Sequence, residues 1–106
     1  MSYSNLEPED FKKKLESNKE IVLLDVRTPV EAKINRIEGA TLINFNKQEE
    51  FVEGISGLDK TKGYCIYCRS GNRSGQACNY MAQLGFGELY NLDGGMMAWE
   101  MEYPED

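Results

Sequence analysis

The stretch of this chain best equipped for chemistry is Cys68-Arg69-Ser70-Gly71-Asn72-Arg73. A thiol attacks as its thiolate, so its surroundings decide how reactive it is at neutral pH. Cys68 closes an apolar run, Tyr64-Cys65-Ile66-Tyr67-Cys68, that reads as a buried strand. A helix is predicted from about Arg73 to Leu84, with Ala77, Met81 and Leu84 on one face. Four residues separate Cys68 from Arg73. Several amides in so short a loop lack helical partners and can turn inward as an anion-binding nest, reinforced by the helix dipole. Arg69 and Arg73 add fixed positive charge on either side. The expectation is a Cys68 pKa below the free-thiol value of about 8.5.

The rest of the composition narrows the chemistry. Histidine is absent, which excludes any Ser-His-Asp or Cys-His pair within the chain and any His-ligated metal. Three cysteines fall short of a four-thiolate zinc site. No metal or organic cofactor is expected. The formal charge of −6 disfavours nucleic acid and anionic membranes as partners. The apolar runs are too short to span a bilayer, and Met1-Ser2-Tyr3-Ser4-Asn5-Leu6-Glu7 does not read as a signal peptide. An odd cysteine count without disulfide spacing suits a reducing cytoplasm.

The 106 residues, 41% hydrophobic and 28% charged, suit one α/β domain spanning 1–106. Pro8 suits the first turn of a helix carrying Phe11 and Leu15 on one face. Ile21–Val26 reads as a buried strand, and Thr28-Pro29-Val30-Glu31 as a capping box. Ala40–Ile43 reads as a second strand. Asn46 is expected to cap a helix through Phe51, Val52 and Ile55. Gly85 is a helix stop, Glu88–Leu92 the last strand, and Asp93-Gly94-Gly95 a turn into a short helix with Met97, Ala98 and Trp99. Alternating strands and helices with short connections imply right-handed crossovers and a mostly parallel sheet, with Cys68 at a strand's carboxyl end where ligands bind.

Three blocks carry a family resemblance. Cys68-Arg69-Ser70-Gly71-Asn72-Arg73-Ser74 resembles the active-site loop of single-domain rhodaneses. Leu24-Asp25-Val26-Arg27, followed by Pro29, Glu31, Ile37 and Gly39-Ala40, resembles the family's upstream motif. Leu92-Asp93-Gly94-Gly95 with Trp99 resembles its C-terminal signature. The resemblance implies a three-layer α/β/α domain with a five-stranded sheet. It also implies a sulfurtransferase: Cys68 takes a sulfane sulfur from a small anionic donor such as thiosulfate, becomes a persulfide, and passes the sulfur to cyanide or a thiol, including one on a partner protein. Arg69, Ser70, Gly71, Asn72 and Arg73 would bind the substrate, the amides cradling sulfur and the arginines steadying negative charge.

The chain departs from the family pattern at Asn35-Arg36-Ile37-Glu38-Gly39-Ala40, where the usual His and Pro are missing. Arg36 is expected to be a solvated surface residue. Cys65 should face the opposite side of the sheet from Cys68, and Cys78 should lie in the core. Their simplest role is packing rather than disulfide chemistry. Asp25, Arg27 and Glu31 suit a structural role, with Arg27 pairing to Asp25 or Glu31. Met96, Met97, Trp99 and Met101 are expected to pack between helix and sheet. Two other functions fit less well. A cysteine phosphatase would need a longer loop, usually preceded by His. A sulfur-carrier or regulatory module would bind a partner without turnover; the intact Cys68 loop argues against a dead domain, and carrier and enzyme differ mainly in the acceptor, which the sequence does not show.

Overall fold

The computed structural model describes residues 2–104. Met1, Glu105 and Asp106, the ends of the expected 1–106 domain, lie outside the described residues. In chain order the elements are β1 (Ser4–Leu6), α1 (Pro8–Ser17), β2 (Val22–Asp25), α2 (Pro29–Ile34), β3 (Thr41–Leu42), α3 (Gln48–Ser56), β4 (Gly63–Tyr67), α4 (Asn72–Gln83), β5 (Glu88–Leu92) and α5 (Gly95–Glu102). The strands form one sheet in the order β1-β5-β4-β2-β3, and every pairing is parallel.

β4 is central and buried along its whole length, which explains its continuous apolar run. Its side chains alternate between two cores. Tyr64, Ile66 and, just past the strand, Cys68 join Phe51 and Ile55 of α3 and Ala77, Cys78 and Met81 of α4. Cys65 and Tyr67 join Phe11 of α1, Leu92 and Met96 on the other face, with Trp99 packed against them. The result is the expected three-layer arrangement.

Several local expectations are met by specific contacts. Thr28 caps α2 through the Glu31 amide, while the Glu31 carboxylate accepts from the Thr28 N–H at 3.0 Å. Pro8 opens α1, and Gly85 follows the end of α4. Others need correction. Asn46 does not cap α3; the cap position is Lys47, with no side-chain bond. Asn44 Oδ1 accepts from the Asn46 N–H at 2.9 Å, so Asn46 lies inside a turn organised by its neighbour. The strand expected at Ala40–Ile43 shrinks to Thr41–Leu42, an exposed edge. The first strand, β1, gives no apolar run at all. Met96 and Trp99 pack as expected, but Met97 and Met101 are 52% and 86% exposed.

Candidate active site

β4 delivers Cys68 to the carboxyl edge of the sheet, and α4 begins at Asn72 after a left-handed Gly71. At φ +99° this position suits glycine, and it reverses the chain over the sulfur. The Gly71 N–H donates to Cys68 Sγ at 3.1 Å. The Ser74 N–H and Oγ–H donate to the same sulfur at 3.4 and 3.3 Å. Burial opposes ionisation of Cys68, but the Ser74 hydroxyl, the Ser74 and Gly71 amides and the Ser70 amide outweigh it and lower the thiol's pKa. Burial without such donors pushes both Cys65 and Cys78 up to about 12. Three buried thiols thus separate into one activated and two inert, as their positions in the sheet and helix suggest.

Ser74 is the site residue that sequence reasoning missed. It is completely buried in the first turn of α4. The signal was present: Ser74 shares the helix face of Ala77, Cys78 and Met81, an unusual place for a hydroxyl without a partner.

The two arginines do not act as a matched pair. Arg73 is held by Glu31, with Nη1 and Nη2 each 2.9 Å from a carboxylate oxygen. That bond holds the Glu31 carboxyl down at about 2. Arg73 still lies within Coulombic reach of Cys68, but its guanidinium is committed to positioning. Arg69 is exposed and has no ion-pair partner among the described residues. It borders a cleft of about 220 Å³ shared with Glu31, Asn35, Met97 and Glu100. Ser70 and Asn72 are also exposed on the loop.

The loop is braced from two sides. The Met96 and Met97 N–H groups, at the start of α5, donate to the carbonyls of Cys68 and Arg69 at 2.9 and 3.0 Å. A Cβ on Gly95 would lie 2.3 Å from the Arg69 carbonyl oxygen, so this approach requires glycine. Beneath, Arg27 pairs with Asp25 rather than Glu31, through Nε to Oδ1 at 2.9 Å and Nη2 to Oδ2 at 2.8 Å. The Tyr67 hydroxyl donates to Asp25 and accepts from the Ile37 N–H, both at 3.1 Å. The departed segment joins this network. Asn35 accepts from Arg27 through both its side-chain and backbone oxygens, and donates to Glu100. Arg36 is exposed, as expected.

The rhodanese-like domain family model matches residues 7–102, and the chain belongs to that family. YtwF of Bacillus subtilis (strain 168), provisionally named a sulfurtransferase, is 40% identical over 92 residues, covering 87% of this chain and 85% of YtwF. The thiosulfate sulfurtransferase GlpE of Pseudomonas aeruginosa is 30% identical over 105 residues, covering 99% of this chain and 91% of GlpE. The crystal structure of a rhodanese-like domain protein from Staphylococcus aureus matches with a TM-score of 0.78 at 29% identity, over 91% of this chain and 90% of that one. Stretches of two proteins named tRNA uridine(34) hydroxylase match as well, at 32% and 31% identity over 32% and 30% of their length, so family membership does not by itself define the reaction. Among the described residues no helix is long and apolar enough to cross a membrane.

Proposed function

We propose that the protein moves a sulfane sulfur from thiosulfate to a nucleophilic acceptor through a persulfide on Cys68. The observation that carries this reading is the set of donors converging on Cys68 Sγ from Gly71 and Ser74. They favour the thiolate, and they suit the negative sulfur of a persulfide in the same place. The thiolate attacks the outer sulfur of thiosulfate. The donor's S–S bond breaks, and sulfite leaves with the electron pair. Cyanide or a thiolate acceptor then attacks the terminal sulfur, the Cys68 S–S bond breaks, and the Cys68 thiolate returns. The cycle needs no external oxidant, metal or organic cofactor.

Arg69 attracts the anionic donor, because Arg73 is occupied by Glu31. Cys68 is fully buried, so the donor reaches its sulfur only when the surrounding loop moves. The committed Arg73 also argues against phosphatase chemistry, which would need that guanidinium to clamp phosphate. Turnover separates an enzyme from a carrier. Incubation with thiosulfate and cyanide should release thiocyanate catalytically, and Cys68→Ser should abolish it. Stoichiometric sulfur uptake without repeated turnover would favour the carrier, and undiminished turnover by Cys68→Ser would remove Cys68 from the mechanism.

A further inference from the structure

Asn91 is a buried polar residue in β5 that touches the loop at the Gly71 carbonyl. It is 4% exposed, between Tyr90 and Leu92. Its Nδ2 donates to Gly71 O at 3.2 Å and to Asn5 Oδ1 at 2.9 Å. Both partners are acceptors, which fixes the orientation of the carboxamide. Its Oδ1 is then left buried with no hydrogen-bond partner among the described residues. A buried oxygen without a partner costs stability, and an apolar side chain of similar size would avoid that cost. Departures of this kind concentrate at functional or strained sites.

Gly71 is where that function lies. Its carbonyl also accepts from the Gly75 N–H at 3.0 Å, at the start of α4. Its own N–H is the closest donor to Cys68 Sγ. We propose that Asn91 is a positioning residue that holds Gly71 from behind, so that the Gly71 N–H stays aimed at the Cys68 sulfur. Asn5, on the neighbouring strand β1, orients the carboxamide for this task. The edge strand thereby takes part in organising a loop that follows β4, far from β1 in sequence. The inference rests on the proposed role of Cys68, but its consequence for thiol ionisation does not require sulfur transfer.

The test is the pH profile of Cys68 alkylation, read by peptide mass, in wild type, Asn91→Leu and Asn5→Ala. Cys65 and Cys78 are buried with raised pKa values and should label slowly. Asn91→Leu should move the profile to higher pH by about 0.5–1 unit, making alkylation about three- to tenfold slower at neutral pH. Its thermal midpoint reports the balance between the two lost Nδ2 bonds and the removed unpartnered oxygen; a merely structural role predicts an unmoved profile whatever the midpoint, and a shifted profile supports the inference. Asn5 is exposed, so Asn5→Ala should fold normally and give a smaller shift in the same direction. An unmoved profile in Asn91→Leu overturns the inference; should that variant not fold, an unmoved profile in Asn5→Ala does so. Wild-type turnover with thiosulfate and cyanide, measured alongside, keeps the two proposals apart. Turnover with unmoved variant profiles sinks only the role of Asn91, whereas shifted profiles without turnover sink only sulfur transfer.

Discussion

At the scale of residues, hydrogen-bond donors more than cations set the chemistry of Cys68. The sequence offered loop amides and two flanking arginines as activators of the thiol, without the Ser74 hydroxyl. The folded chain gives that task chiefly to Ser74 and to loop amides, because Arg73 is bound to Glu31. Cys68 itself was legible from its place between a strand and a helix start. The pairing of Arg73 was not, because Glu31 lies 42 residues away in sequence and meets it only through the packing of α2 against the loop. Removing the Ser74 hydroxyl should therefore matter. In Ser74→Ala the thiol loses one donor, and its pKa should rise by about 0.5–1 unit. Below both pKa values alkylation should slow by about three- to tenfold, and above both the two proteins should react alike. Alkylation rates across pH measure this directly, and equal rates throughout would return the credit to the arginines.

At the scale of elements, β4, the loop and α4 form the site, while α2 and α5 hold it. The capping box of α2 was legible because Thr28 and Glu31 stand at the required spacing. Its second task was hidden: the carboxylate that caps α2 also anchors Arg73. This double role has a pH signature. Arg73 is the main cause that lowers the Glu31 pKa from 4.5 to about 2 in the folded protein. A folded-state pKa depressed in this way adds stability above the unfolded value, and that stability is lost as pH falls toward the folded one. Glu31→Gln should cost about 1–2 kcal/mol at pH 7, allowing for partial solvent screening. The difference from wild type should shrink between about pH 4.5 and 2, as denaturant midpoints would show. The Asn46 cap and the long form of β3 failed as expectations for related reasons. Asn44 organises the turn before α3, and the apolar run Ala40–Ile43 pairs with β2 only at Thr41 and Leu42, which the run itself does not reveal. β1 was illegible on the same ground: Ser4-Asn5-Leu6 is three residues long and mostly exposed, and it becomes a strand only by pairing with β5.

At the scale of the whole molecule, a parallel sheet puts the ends of β2, β4 and β5 at one edge, and all three contribute to the site. The alternation of strands and helices made this layout readable, and the three family motifs fall on those three strand ends. Net charge acts at this scale too. A chain of charge −6 repels an anionic donor, whereas exposed Arg69 attracts it locally. Salt screens both effects. With thiosulfate as donor, kcat/KM of wild type should fall as ionic strength rises. In Arg69→Ala it should start lower and rise with salt, because only the repulsion remains. The same salt dependence in both proteins would show that Arg69 does not steer the donor. The decisive measurement is the mass of the Cys68 peptide after thiosulfate treatment without an acceptor. That peptide should gain one sulfur atom, reversed by cyanide with release of thiocyanate; an unmodified Cys68, or sulfur carried on Cys65 or Cys78 instead, would overturn the Cys68 persulfide.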